Sequence, residues 1–223
     1  MQNIISIKNL TKTYVTKDIE TPVLRGIDLE VRSGEFLGIM GKSGAGKSTL
    51  MYQIGLLDHP TSGEIILNGI NTEKLSTEER TSMRLLSLGY VFQDYALIPE
   101  LTAIENVMIP LLMQGKTSME AKKISADVLA KVGLSHRVDN KPSQLSGGEQ
   151  QRVSIARAMA HNPKILFADE PTANLDTISG NSIIELFEQL HKKGQTIVMV
   201  THEDEYAKYC DRIIHLEDGK IVL

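Results

Sequence analysis

The spacing of apolar residues changes twice along this chain. In the first ninety residues they fall in short runs. Ile4 to Leu10 alternates apolar with polar, Val23 to Val31 follows, and Phe36 to Met40 is almost wholly apolar, which predicts three strands. Leu50, Met51, Ile54 and Leu57 then recur at helical spacing. Glu64 to Leu67 and Leu88 to Phe92 read as further short strands, and between them Ser76 with Glu79 forms the capping-box pattern of a helix start.

From Asp94 to Ala160 the pattern is mainly helical. Ala121, Ile124, Val128, Leu129 and Val132 make an apolar stripe, preceded by a second capping pattern, Thr117 with Glu120. Pro110 interrupts another apolar-periodic run, so a helix there is expected to kink or break. After Pro163 strand and helix alternate again. Ile165 to Ala168, Thr196 to Val200 and Arg212 to Leu216 predict strands, and Ile183, Phe187 and Leu190 mark a helix. Buried strands alternating with helices argue for an α/β fold with a parallel sheet. The expected organisation is an α/β core from residues 1–93 and 161–223, with residues 94–160 inserted as a helical subdomain.

Composition narrows the function classes. The 223 residues are 41% hydrophobic and 23% charged, which is ordinary globular usage, and suffice for one well-packed domain with a subdomain. The net charge of −4 and the lack of a basic stripe give no support for a nucleic-acid partner. Cys210 is the only cysteine, so an intrachain disulfide is impossible and a reducing, cytoplasmic setting is expected. No signal-peptide pattern opens the chain, and no segment approaches the roughly 20 apolar residues of a membrane span. Any membrane role is expected to come through a partner. The sequence stops at Leu223, and no appended regulatory domain is expected.

Three motifs carry chemistry. The first, GKSGAGKS from Gly41 to Ser48, lies between a predicted strand and a predicted helix, the context required of a phosphate-binding loop. Gly41, Gly44 and Gly46 let backbone N–H groups approach phosphate oxygens, and the helix beginning near Lys47 aims its positive end at the same point. Lys47 supplies a cation for the β- and γ-phosphates, and the Ser48 hydroxyl is a Mg²⁺ ligand candidate. The second motif, ILFADEP, ends an apolar strand in two carboxylates, where parallel sheets bind ligands. Asp169 is the candidate for the metal, and Glu170 for the general base or water-orienting group. The third, LSGGEQQR from Leu145 to Arg152, starts a helix with Ser146 and Glu149 in a capping box. Gly147 and Gly148 weaken a first helical turn, and make sense where something large approaches the backbone. Such a helix end is a second anion site in the same chain.

In order and spacing these motifs resemble those of ABC ATPase subunits, over essentially the whole chain. The resemblance implies a P-loop NTPase (RecA-like) core with a mainly parallel sheet, an N-terminal antiparallel β subdomain and an inserted helical subdomain. It further implies ATP and Mg²⁺ as cofactors, and a head-to-tail homodimer with two ATP molecules in its interface. Each ATP would touch Gly41, Lys42, Ser43, Gly44, Ala45, Gly46, Lys47, Ser48 and Thr49 of one copy. Ser146, Gly147, Gly148 and Glu149 would come from the other, with Asp176 crossing the interface. Tyr14 matches the aromatic residue that stacks on adenine, Gln93 the glutamine that reaches Mg²⁺, and His202 the histidine at the γ-phosphate. Ser48, Gln93 and Asp169 thus form the implied metal set, and Glu170, His202 and Gln93 the implied catalytic set.

The run GYVFQDYALIPELTAIENVMIPLLMQG looks like the lipoprotein-release and macrolide-exporter (LolD/MacB-like) subgroup. That likeness implies ATP-driven work on membrane-spanning permease subunits carried on separate chains, and a place on the inner face of the cell membrane. Docking is expected near Gln93–Leu101. There Tyr95, Leu97, Ile98 and Leu101 either receive a short partner helix or pack into the subdomain core. Two other readings are an FtsE-like regulatory or mechanical ATPase, and a soluble ABC ATPase that serves no transporter. The short stretch between Gln93 and Ser146 and the single cassette disfavour the latter.

Overall fold

The computed structural model describes residues 2–17 and 19–222. In chain order the first elements are β1 (Asn3–Thr16), β2 (Ile19–Arg32), β3 (Phe36–Met40), α1 (Lys47–Ile54), β4 (Ser62–Leu67) and β5 (Ile70–Asn71). Then come α2 (Thr77–Ser87), β6 (Leu88–Val91), α3 (Ala103–Met113), α4 (Ser118–Lys131), α5 (Gly147–Met159) and β7 (Ile165–Asp169). The last are α6 (Thr177–Lys192), β8 (Thr196–Val200), β9 (Arg212–Glu217) and β10 (Lys220–Val222). They fall into two compact units, Met1–Arg84 with Lys193–Leu223, and Leu85–Lys192.

The first unit holds an antiparallel sheet in the order β2-β1-β4-β5, together with strands ordered β10-β9-β3-β8. β3 runs parallel to both β8 and β9, while β10 returns antiparallel. All five residues of β3 and of β8 are buried, as expected of parallel strands covered on both faces. β1 extends six residues beyond the predicted Leu10. The reason is its ladder with β2, which continues to Thr16 opposite Ile19 even though the residues after Leu10 lose the simple alternation. α1 stops at Ile54, so Leu57 lies outside it and is 43% exposed.

In the second unit β6 and β7 pair in parallel. Helices α3, α4 and α5 pack on one another, and Val107, Leu111, Leu129, Val153 and Ile155 lose nearly all solvent contact. The capping boxes of α2, α4 and α5 form as their sequences predict, and another, Thr102 with Glu105, starts α3. Of the kink or break expected at Pro110, the break does not occur. α3 runs through it to Met113, and the Gln114 N–H bonds the Pro110 carbonyl. Near a helix end the ring removes a single donor, and the buried Val107 and Leu111 on either side hold the turn together.

Candidate nucleotide site and its supports

In the first unit the loop between β3 and α1 is a left-handed turn system. Gly41, Gly44 and Gly46 have φ of 149°, 81° and 100°. A Cβ at Gly41 would collide with the Leu216 carbonyl, so no other residue fits there. The Ala45 N–H bonds the Lys42 carbonyl at 3.2 Å, and the Gly219 N–H bonds Ala45 at 3.3 Å, fixing the turn from both sides. α1 then begins at Lys47 with Gly46 as its N-cap and no side-chain cap hydrogen bond, and the positive end of its dipole lies at the loop. The Lys47 side chain is buried against the loop, its Nζ donating to the Gly41 and Lys42 carbonyls at 2.9 and 3.1 Å. Lys42 and Ser43 are exposed, and Ser48 and Thr49 half-buried, at the mouth of the same loop.

Two further residues singled out by the sequence belong to this unit. Tyr14, in β1, is 40% exposed, and its hydroxyl donates to Asp58 Oδ2 at 2.9 Å. Burial raises its pKa first, with Asp58 adding to the effect. His202 lies two residues beyond β8 and is exposed.

The second unit carries the other candidates. β7 is buried along its whole length and ends on Asp169, itself only 7% exposed. Glu170 follows with φ 43°, a left-handed backbone that a glutamate adopts only when its surroundings impose it. The turn is closed by the Ala173 N–H bonding the Glu170 carbonyl at 3.2 Å.

Ser146 caps α5, its Oγ accepting from the Glu149 N–H at 3.3 Å while Glu149 accepts from the Ser146 N–H at 2.9 Å. That bond from Ser146, more than the Arg137 guanidinium 3.0 Å away, lowers the Glu149 pKa. The two glycines are explained by close neighbours. A Cβ on Gly147 would stand 2.9 Å from Tyr95 Oη, and one on Gly148 3.2 Å from Ser179 Cβ. Asp176 is exposed and accepts from the Ser179 N–H and hydroxyl at 3.0 and 2.7 Å, which lower its pKa in that order.

Gln93, exposed, opens the segment that runs to Leu101. None of Tyr95, Leu97, Ile98 and Leu101 is buried in the core, and Ile98 is 42% exposed. Polar side chains hold this segment from behind. Arg157 bonds the Tyr95 and Ala96 carbonyls, and the buried Asn106 donates to the Ile98 and Leu101 carbonyls at 3.1 Å. Asn174 donates to the Gln93 carbonyl at 2.9 Å. The fully buried Gln151 reaches the Pro171 carbonyl at 2.7 Å and the Phe92 carbonyl at 3.5 Å. Sequence reasoning missed all four. The available signal was a polar residue on a buried helical stripe, as Gln151 is beside Ser154 and Ala158 on α5.

Among the described residues no helix is long and apolar enough to cross a membrane. Residues 24–173 match the family model described as ABC transporter. The chain is 46% identical to the lipoprotein-releasing system ATP-binding protein LolD of Aquifex aeolicus, over 100% of this chain and 97% of that one. It is 45% identical to the macrolide export ATP-binding/permease protein MacB of Brucella melitensis, over 98% of this chain but 34% of the longer protein. Among solved structures, the dimeric post-hydrolysis state of the ATP-binding cassette MJ0796 with ADP and Pi superposes with a TM-score of 0.91 at 42% identity. That match covers 98% of this chain and 97% of the other. The chain belongs to the ABC transporter family.

Proposed function

We propose that this chain is the ATP-hydrolysing subunit of a LolD/MacB-like export or lipoprotein-release system, working as a head-to-tail homodimer on membrane-spanning subunits. The observation that carries the reading is the loop from Gly41 to Gly46, which opens an uncapped helix beside a lysine already turned onto the loop. ATP binds there through the loop N–H groups and Lys47, and Tyr14 stacks on its base. Ser146, Gly147, Gly148 and Glu149 of a second copy complete the site, with Asp176 beside them. That role accounts for a second anion-binding helix end in one chain.

Ser48, Gln93 and Asp169 offer hydroxyl, amide and carboxylate oxygens, the hard donors that Mg²⁺ accepts. The ion, once bound, neutralises charge on the β- and γ-phosphates. Glu170 takes a proton from the attacking water as the bond from the γ-phosphorus to the bridging oxygen breaks, giving ADP and phosphate. His202 contacts the γ-phosphate and holds it for attack. The segment Gln93–Leu101 receives the membrane partner, and its exposed Ile98 and polar backing support that use. Docking there places the protein peripherally on the inner face of the cell membrane.

The test is the oligomeric state of Glu170→Gln with and without ATP, by light scattering on a sizing column. ATP should convert monomer to dimer, because binding survives and hydrolysis does not. A variant that binds ATP and stays monomeric, even with the partner's docking segment added, would sink the shared-site model.

A further inference from the structure

Beside Tyr14 lies a polar cluster that the motifs leave unexplained. Lys12 and Tyr14 stand two residues apart on β1 and so share one face of the strand. The Lys12 ammonium lies 4.6 Å from the centre of the Tyr14 ring and donates to Asp58 Oδ1 at 2.9 Å and the His59 carbonyl at 2.6 Å. Asp58 Oδ2 accepts from both the Tyr14 hydroxyl and Gln53 Nε2, each at 2.9 Å. Arg80 fixes the backbone below, donating to the Asp58 carbonyl at 2.8 Å.

The geometry links two parts of one binding site. Gln53 lies on α1, the helix that begins with Lys47 and Ser48. Through Gln53 and Asp58, the ring on the sheet is tied to the helix that carries the phosphate-binding lysine. An exposed tyrosine hydroxyl could be satisfied by water and needs no such tether for stability. A stacking platform does need one, because a ring free to swing about its side-chain torsions gives a base no fixed plane.

We infer that Asp58, with Lys12, is a positioning residue for recognition of the nucleotide base. It holds the Tyr14 ring at a set distance from the phosphate loop, while Lys12 lies against one face of the ring and adenine stacks on the other. The inference rests on the proposal that Tyr14 is the stacking residue.

The test compares ATP with inorganic tripolyphosphate, which has the charge of the phosphate chain and no base, by calorimetry on the whole chain. Asp58→Ala should bind ATP about tenfold more weakly, within the range expected for loss of an aromatic–base stack. Tripolyphosphate affinity should not change, and in turnover the loss should appear in KM rather than kcat. Asp58→Asn keeps the side-chain volume and one acceptor oxygen, so it should recover part of the loss. In a Tyr14→Ala background Asp58→Ala should cost nothing more. Equal weakening of both ligands would mean a damaged loop and overturn the inference, as would ATP affinity that is unchanged, or effects that add in the double variant. Tyr14→Ala with full ATP affinity would remove the stacking reading itself, and the inference with it. A silent Asp58 beside a damaging Tyr14→Ala removes the positioning role alone.

Discussion

At φ 43° the Glu170 backbone occupies a region that costs an L-residue with a long side chain about 1–2 kcal/mol. Asparagine tolerates that conformation better and, like glutamine, cannot accept the proton. Glu170→Asn should therefore melt about 2–4 °C above Glu170→Gln, with hydrolysis lost in both, as calorimetry and a phosphate assay would read. Equal melting points would show that the turn relaxes at no cost. Asp58 gives a second residue-scale expectation, in pH. Burial pushes its carboxyl up, but hydrogen bonds from Lys12, the His59 N–H, Tyr14 and Gln53 outweigh that and hold it at about 2. A lowered folded value stabilises the protein above the ordinary carboxylate range, and the contribution disappears as pH falls through the folded value. The stability gap between the native chain and Asp58→Asn should be flat above about pH 5 and close toward pH 2, followed by urea denaturation at each pH. A gap that widens on acidification would contradict the sign.

Elements are where local sequence logic is both strongest and most easily overruled. Alanine in place of a helical glycine normally stabilises by about 0.5–1 kcal/mol. Gly147→Ala should do the reverse, because the new Cβ meets Tyr95 Oη at 2.9 Å. Faster amide exchange confined to residues 92–101 is the expected signature, and uniform protection would mean that Tyr95 simply turns away. The capping pairs Thr117–Glu120 and Ser146–Glu149 were legible because both partners lie within one turn. The course of α3 through Pro110 was not, because burial of Val107 and Leu111 decides it and periodicity does not report what covers a face. The extension of β1 to Thr16 was hidden for a similar reason, since the strand that pairs with it supplies the order.

For the whole molecule, the motifs were readable because each packs its chemistry into adjacent residues: Gly41 to Thr49, Asp169 with Glu170, Ser146 to Glu149. Their supports were not. Lys12 meets Asp58 across 46 residues, Asn174 meets Gln93 across 81, and Arg157 meets Ala96 across 61. Such contacts follow from the fold and leave no local spacing to detect. The head-to-tail dimer has its own test at this scale. Ser146→Arg should leave ATP binding by the single chain intact while abolishing ATP-dependent dimerisation and turnover, because it obstructs only the partner's site. Normal turnover in that variant would refute a composite site.

Gln151 ties two loops of the second unit to a single nitrogen. Its Nε2 donates to the Pro171 carbonyl at 2.7 Å and to the Phe92 carbonyl at 3.5 Å, the outer limit of a hydrogen bond. Both carbonyls, one residue before Gln93 and one residue after Glu170, therefore depend on the same buried side chain.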